Sequence, residues 1–371
     1  MQRSLAGFLT AFAISLATIP AALAELRIGL ATPLTGSFAW AGEQTRAGAE
    51  AAVKDLNDHG GVLGEALAVV LVDDFCNPEQ AVAAAEKLVA DGVPFVVGHQ
   101  CSGAAIPASE IYEEADIIFI SPKATNPRLT DRGLRYTFRT CGRDDRQGTM
   151  IGDHLAEKWS GADIAIVHDG QRYGQGVAEE VKRRLEELGI EPALVEQVKP
   201  GEVDFAQLVS TIETRGIDVA FYGGYPAEAG LIVRQAKANV PELSFIVPDG
   251  VAYEDFWLIA GDAAEGIRMT TLMNAARLPA AANVVASLKA EGSDPAGPTL
   301  YAYAAVQAWA RAVEAARTTD AARIAEVLRA QKFSTVLGEI GFDENGDVTG
   351  FEPFGWYVWT DGNFVETDMV E

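Results

Sequence analysis

The stretch PFVVGHQCSGAAIP, residues 94–107, joins a short apolar run to a loop that contains a cysteine, a serine and a glycine. Because it is apolar throughout, the run predicts a buried strand. The polar residues then follow the end of the strand, where open parallel sheets bind their ligands. From the residues alone, Cys101 and Ser102 leave three interpretations open: a catalytic nucleophile, half of a disulfide, or a loop that holds a ligand.

Apolar runs alternate with helical patterns on both sides of this stretch. The runs are apolar throughout, which is typical of parallel strands covered by helices on both faces. One series predicts strands at 26–32, 67–74, 94–99 and 117–122 and helices at 43–58 and 78–92. A second predicts strands at 163–169, 192–198, 218–225 and 244–250 and helices at 176–189, 205–216 and 227–239. The sequence therefore predicts an α/β protein with two three-layer lobes and mainly parallel sheets.

The remaining segments predict how the two series are connected and completed. The polar segment 135–148 predicts a crossover between the lobes. Helical patterns follow at 300–319 and 320–331, and the pairs Asn345-Gly346 and Asp361-Gly362 are hairpin signals. We therefore expect a β-rich C-terminal segment.

The first 24 residues predict a secretory signal. Arg3 precedes an apolar stretch from Leu5 to Ile19, and the stretch ends in an A-x-A pattern before Glu25. The apolar stretch falls short of the roughly 20 residues that a membrane span needs. We expect cleavage after Ala24 and export to the periplasm.

Composition excludes some partners. The chain has 29 Lys and Arg residues against 53 Asp and Glu residues, a formal net charge of −24, which disfavours nucleic acid and anionic membrane surfaces. Three cysteines in an exported protein suggest one disulfide and one free thiol, although the count does not say which two pair.

The motifs of nucleotide and metal sites are missing. The first turn, ATPLTGSFAWAG, lacks the G-x-G-x-x-G pattern, and no G-x-x-x-x-G-K-[ST] occurs. DENGDVTG lacks the spacing and closing Glu of a calcium loop, so it predicts a turn. We expect no cofactor and no metal, since the histidines are scattered singly at His59, His99, His154 and His168.

A nucleophile at Cys101 or Ser102 would need a general base. His99 lies two residues away on the same strand end, which keeps this interpretation open. An oxidising compartment favours a disulfide instead, and Cys76, in the loop after the preceding strand, is the candidate partner. The strand-end loops are rich in Ser, Thr, Tyr, Gly and single carboxylates, which suits a small zwitterion or polar acid better than catalysis.

Taken in order, the loops resemble those of the periplasmic leucine/isoleucine/valine-binding proteins of branched-chain amino acid ABC importers. The motifs include GLATPLTG, DDFCNPEQAV, GHQCSGAAIPAS, SPKATNPRLTDRG, AIVHDGQRYGQG and FYGGYPAEAG. The resemblance covers nearly the whole chain after residue 24. It implies the type I periplasmic binding protein fold, two lobes joined by three crossovers. Lobe 1 would comprise 25–143 and 273–348, and lobe 2 would comprise 144–272 and 349–371.

The resemblance also implies a ligand site. Ser102 and Thr125 would receive an α-carboxylate, and the Lys123 carbonyl and Thr125 hydroxyl would accept from an α-ammonium. Asp249 would supply the opposing negative charge from lobe 2. The full set of implied ligand-binding residues is Trp40, Ser102, Lys123, Ala124, Thr125, Tyr173, Tyr225 and Asp249. A Cys76–Cys101 disulfide would leave Cys141 as the free thiol.

Three departures from the family pattern leave the side-chain specificity open. Asp249 stands where the best-known aliphatic binders have Glu, which shortens its reach by one methylene. Lys123 stands where a small residue is usual, and its side chain would either point to solvent or neutralise an acidic ligand. The first-loop aromatic, Trp40, is shifted, and the segment 298–303 does not match its counterpart.

The resulting prediction is a binding protein and not an enzyme. It would capture a branched-chain or other neutral amino acid by hinge closure and, as a monomer, deliver it to an ABC permease. Two alternatives remain: a binding protein for a non-α-amino carboxylic acid or an amide, with Asp249 idle, and a ligand sensor of the same fold.

Overall fold

Two separate β-sheets organise the protein in the computed structural model, which describes residues 25–367. The signal peptide predicted at 1–24 lies outside the described residues. All five strands of the first sheet are parallel, in the order β2-β1-β3-β4-β5. These strands are β1 (Glu25–Thr32), β2 (Ala66–Asp73), β3 (Phe95–Gly98), β4 (Ile118–Ser121) and β5 (Thr137–Arg139).

The second sheet begins with five parallel strands in the order β7-β6-β8-β9-β10. These are β6 (Ile164–His168), β7 (Leu194–Gln197), β8 (Val219–Gly223), β9 (Ser244–Val247) and β10 (Arg268–Leu272). Both series of predicted strands are therefore present, and each forms one sheet.

The C-terminal segment is β-rich, as predicted. A small antiparallel sheet contains β11 (Phe333–Thr335), β12 (Gly338–Phe342) and β13 (Val348–Thr349), with Asn345-Gly346 in the turn before β13. The hairpin of β14 (Phe354–Thr360) and β15 (Asn363–Glu366) then extends the second sheet beyond β10. Its two turn residues, Asp361 and Gly362, both have positive φ, 48° and 81°, as a tight hairpin of this kind requires.

Eleven α-helices accompany the strands within the described residues. They are α1 (Ala39–Asp58), α2 (Pro78–Ala90), α3 (Ser102–Glu114), α4 (Asp144–Lys158), α5 (Arg172–Glu187), α6 (Ala206–Arg215), α7 (Pro226–Asn239), α8 (Glu254–Ala260), α9 (Ala282–Ala290), α10 (Thr299–Ala316) and α11 (Ala321–Ala330). In this part of the chain none of them has the length and apolarity that crossing a bilayer would require. The segment 39–42, interpreted from the sequence as the end of the first turn, is the first part of α1, so Trp40 lies on a helix.

Packing divides the elements into two lobes. Lobe 1 contains the first sheet, the small sheet, α1–α3 and α9–α11, and lobe 2 contains the second sheet and α4–α8. Helix α10 joins the core of lobe 1, where Trp309 stacks on Phe95 of β3 with ring centroids 4.7 Å apart. Gly48 of α1 permits the close approach of α1 to α10, because a Cβ there would lie 1.9 Å from the Thr299 carbonyl oxygen of α10. The chain passes between the lobes three times, after β5, β10 and β13.

Candidate ligand-binding site

The loops after the parallel strands of the two lobes face each other across a narrow cleft. Its innermost part encloses about 20 Å³, room for about one water molecule. Residues of both lobes line it: Phe38, Gln100, Cys101, Ser102 and Lys123 from lobe 1 and Tyr173, Tyr225, Asp249, Gly250 and Tyr253 from lobe 2. Five of the eight predicted ligand-binding residues therefore lie around one enclosed space.

Asp249 is the most densely hydrogen-bonded group of this space. It follows β9, and its Oδ1 accepts from the Tyr173 hydroxyl at 2.6 Å and from Gln147 Nε2 at 2.9 Å. The Tyr173 hydroxyl in turn accepts from the Gly250 N–H at 2.7 Å. Gly250 has no side chain where a Cβ would meet the Tyr173 ring at 2.2 Å. The Asp249 carboxylate is thus held in one orientation.

Lys123 reaches across the cleft to the other oxygen of this carboxylate. Its ammonium donates to Asp249 Oδ2, which joins lobe 1 to lobe 2 through a buried ion pair. Burial is the largest single influence on the pKa of Lys123 and would lower it, but the negative charge of Asp249, its hydrogen bond to Lys123, and the nearby Tyr253 and Cys141 together raise the pKa. The side chain does not point to solvent, since only 8% of it is exposed, and it pairs with Asp249 of the protein itself. Neutralisation of an acidic ligand by Lys123 stays a prediction.

The other predicted residues that follow strands in lobe 1 differ in whether they line the enclosed space. Ser102 begins α3 and lines the enclosed space, and its hydroxyl accepts from the Asn126 N–H at 3.2 Å. Ala124 and Thr125 are fully buried and are not among the lining residues. The Thr125 carbonyl accepts from the Asp144 N–H at 2.9 Å. The roles of Ser102 and Thr125 in carboxylate binding remain predictions.

Arg139 fixes the loop that contains these residues. Its side chain is fully buried at the end of β5 and donates to the Ala124 and Asn126 carbonyls at 2.8 and 3.1 Å. Asp347, which follows the Asn345-Gly346 turn, forms ion pairs with Arg139 and Arg143 at 2.6 and 2.7 Å. The predicted turn therefore also supplies Asp347, whose carboxylate neutralises the Arg139 side chain. Arg139 in turn holds residues 123–126, which we call the ligand loop.

Further contacts close the cleft around this centre. The Phe38 and Tyr225 rings meet edge to face at 4.8 Å, and Gln100 Nε2 donates to the Tyr253 hydroxyl at 3.3 Å. Sequence reasoning missed Phe38, Gln100, Tyr253 and Gln147. Phe38 and Gln100 stand in strand-end loops quoted above, and Tyr253 lies three residues after the strand predicted at 244–250, so their position was the available signal. No comparable signal marks Gln147, because it lies inside α4.

A wider cavity of about 720 Å³ continues from the enclosed space, sharing Lys123, Asp249 and Tyr253 with it. Trp40 lines this outer part, and 48% of the Trp40 side chain is exposed. Its ring contacts the Tyr253 ring edge to face, with centroids 5.8 Å apart. Trp40 therefore lies in the outer part of the cleft and not around its innermost space.

Asp144 adds a second buried carboxyl group behind Asp249. Burial raises its pKa well above the ordinary range, and the negative charge of Asp249 adds to the rise. One of its oxygens, Oδ2, has no hydrogen-bond partner among the residues that the structure describes. The raised pKa disfavours a charge on Asp144, which lies behind the paired charges of Lys123 and Asp249.

The disulfide predicted between Cys76 and Cys101 is confirmed, with the Cα atoms 5.4 Å apart. Their strands, β2 and β3, are not neighbours, because β1 lies between them and the two loops meet beyond its end. His99 hydrogen-bonds to Asp74 at 2.7 Å and to the Tyr112 hydroxyl at 2.9 Å. The bonded sulfur removes Cys101 as a nucleophile. Cys141 is the free cysteine, and burial raises its pKa to about 12.

Two lobes that meet over a small polar space, with one charge from each lobe paired inside it, define a solute-binding protein that closes on its ligand. Comparison with known sequences gives the same class. A sequence model of the family described as "Periplasmic binding protein" matches residues 25–361. The chain belongs to this family of binding proteins, which are not enzymes.

Relatives and solved structures cover nearly all of the chain. Leu/Ile/Val-binding protein homolog 1 of Brucella abortus is 42% identical over 346 residues, 92% of this chain and 93% of that protein. The leucine-, isoleucine-, valine-, threonine- and alanine-binding protein of Pseudomonas aeruginosa is 42% identical over 335 residues, 90% of each chain. A branched-chain amino acid transporter substrate-binding protein from Streptococcus pneumoniae, solved with isoleucine, is 25% identical with a TM-score of 0.81, covering 93% of this chain and 100% of that one. These likenesses confirm the predicted two-lobed α/β fold.

Proposed function

We propose that this protein is the periplasmic receptor of an ABC importer and that it captures one small solute of amino-acid size by its carboxylate. The observation that carries the proposal is the closure of the two lobes over Ser102 and Asp249. Ser102 begins α3, and the N–H groups at the start of a helix bind anions. The names of the relatives support this proposal and make neutral, branched-chain amino acids the first ligands to test.

A second candidate ligand is a carboxylic acid without an α-amino group. The observation that favours it is the ion pair of Lys123 with Asp249, because this pair uses the carboxylate that would otherwise receive a ligand ammonium. Both candidates share the carboxylate subsite at Ser102 and Thr125.

Closure explains how such a solute would be recognised. A ligand shifts a protein toward the closed state only by as much as it binds that state better than the open state. Ser102 belongs to lobe 1, whereas Tyr173, Tyr225 and Asp249 belong to lobe 2, so a solute between them contacts both lobes only after closure. The closed surface would then be the form that the permease recognises. We also propose that residues 1–24 are removed on export and that the receptor acts as a monomer.

The double variant S102A/T125A tests the carboxylate subsite. We expect at least about a hundredfold loss of affinity, because the double substitution removes both hydroxyls that the family resemblance assigns to the ligand carboxylate. Thermal shift first identifies a ligand of the unaltered protein, since a ligand at 100 times its Kd adds about 2.7 kcal/mol of stability. Calorimetry then compares the two proteins.

A matched control is S210A/T211A, which removes the same two hydroxyls from α6 of lobe 2, outside the cleft. It should bind as the unaltered protein does. Unchanged affinity of S102A/T125A for the identified ligand would contradict the proposed subsite.

A further inference from the structure

We infer that the Lys123 ammonium stands in for the α-ammonium of a ligand, so that the cleft selects a carboxylic acid that lacks a free α-amino group, such as a 2-oxo acid. The inference rests on the proposed function, because it takes the cleft as the solute site. It names the class of solute and makes Lys123 the residue that determines it.

The first observation is that both oxygens of the Asp249 carboxylate already accept hydrogen bonds, and that its charge is already paired with the Lys123 ammonium. Oδ1 accepts from Tyr173 and Gln147, and Oδ2 accepts from Lys123. The side chain is 1% exposed. A ligand ammonium placed against this carboxylate would lie beside the Lys123 ammonium, so two cations would share one buried anion.

The second observation is the balance of charge. Lys123 and Asp249 neutralise each other, and burial of Asp144 behind them raises the pKa of its carboxyl group and so disfavours a further charge there. An amino acid would bring a carboxylate and an ammonium, and its ammonium would find no free anion in the innermost part of the cleft. A buried charge without a partner is strongly unfavourable.

The third observation is that the enclosed space is lined by groups that favour an anion. An ammonium group has three N–H donors, and Lys123 uses one of them on Asp249. Lys123 and Ser102, at the start of α3, both line the enclosed space. A ligand carboxylate placed between them would contact Lys123 and the positive end of the helix dipole.

The wider cavity does not offer a substitute anion close by. Its carboxylates Glu366 and Asp294 already pair with Arg277 and Lys289, and Glu254 is exposed to solvent. A ligand ammonium held by any of them would lie in the outer part of the cleft, away from the carboxylate subsite.

The test uses sets of ligands that share a carbon skeleton and differ only at the α-carbon. One set is L-leucine, 4-methyl-2-oxopentanoate and 4-methylpentanoate, and equivalent sets are built on valine, phenylalanine and norleucine. Calorimetry on unaltered protein freed of ligand by unfolding and refolding gives each affinity. We expect the acids without an amino group to bind at least about tenfold more tightly than the matched amino acid.

Two substitutions of Lys123 invert this preference. In K123A and in K123M, which keeps most of the volume, Asp249 becomes free to receive an ammonium. We expect each variant to bind the matched amino acid more tightly than the 2-oxo acid. The control K332A removes an exposed lysine of the same lobe and should leave the preference unchanged.

The outcomes separate the inference from the function on which it rests. Unaltered protein that binds an amino acid as tightly as its 2-oxo analogue overturns the inference and leaves solute capture standing. Failure of every set to bind overturns both. The comparison on unaltered protein decides the question even if both Lys123 variants fail to fold.

Discussion

Three buried carboxyl groups in this protein, those of Asp144, Asp169 and Asp249, have different partners. Asp249 has the Lys123 ammonium beside it. Asp144 and Asp169 are equally buried, and burial raises the pKa of both, that of Asp169 to about 6. Hydrogen bonds from the Gln171 backbone and side chain, at 2.8 and 3.0 Å, limit the rise at Asp169. Ionisation of Asp169 therefore lowers the stability of the folded protein.

This cost gives a pH dependence with a definite sign. The pKa of Asp169 rises from 3.8 to about 6 on folding. The stability that the protonated Asp169 side chain contributes to the folded protein is therefore fully present below about pH 4 and is lost as the pH rises through about 6. We expect D169N to gain stability relative to the unaltered protein over this range, by about 3 kcal/mol at pH 7. Urea unfolding of both proteins at pH 4.5 and 7.5 measures the difference. A difference that does not change with pH would contradict the assignment.

Individual site residues could be predicted only where they belong to a local motif. Ser102 and Asp249 stand in strand-end loops whose sequence resembles a known family, and both line the cleft. The direction of the Lys123 side chain could not be predicted, because its partner is 126 positions away. The support of Arg139 by Asp347 was missed for the same reason.

At the scale of elements, uniform apolar runs predicted four of the five parallel strands in each lobe. Strands β5 and β10 were not predicted, and neither were helices α3, α4, α8 and α9. Helix α3 contains Pro107, which argues against a helix in sequence alone. Helix α4 contains Gly148 and Gly152, at which a Cβ would come within 2.5 and 2.6 Å of Glu180 and Arg184 side-chain atoms of α5. These glycines lower helix propensity, yet they allow the two helices to pack closely.

The disulfide stabilises two strand-end loops together. It closes a segment of 25 residues, and a constraint of this length on the unfolded chain contributes about 3 kcal/mol. We expect C76S/C101S to lose about this much stability while remaining folded. Urea unfolding with and without a reducing agent measures the loss.

The reducing agent also provides the control. It should destabilise the unaltered protein and leave C76S/C101S unchanged, since the variant has no bond to reduce. A variant as stable as the oxidised protein would show that the bond contributes nothing. Ligand affinity should fall only slightly, because the sulfur atoms have no chemical role in binding.

At the scale of the whole molecule, residues near the C-terminus support a ligand loop about 220 positions earlier. Asp347 neutralises two cations, Arg139 and Arg143, and Arg139 holds the carbonyls of the ligand loop. Removing one partner of a buried pair costs about 3–5 kcal/mol. We expect D347A to lose stability of this order and to bind ligand more weakly.

The control E344A removes an exposed carboxylate from the same turn and should change neither property. Unfolding and calorimetry on both variants make the comparison. If D347A matched E344A in stability and affinity, Asp347 would have no supporting role.

The two-lobed organisation was predictable from the repeated series of strands and helices, because each series has enough apolar runs for one sheet. The degree of closure between the two lobes was not predictable from the sequence. It depends on contacts such as Phe38 with Tyr225 and Gln100 with Tyr253, which form only once two separately folded lobes meet. Local sequence patterns do not indicate such contacts between lobes.

The contact of Trp40 with Tyr253 has a consequence for following the protein in solution. The two rings belong to different lobes and lie 5.8 Å apart, so separating the lobes removes Tyr253 from the Trp40 indole and replaces it with water. Indole emission depends on the polarity of its surroundings, and Trp40 is the one exposed tryptophan among the described residues. The protein therefore carries an intrinsic optical reporter of its own opening, with no need for an attached dye.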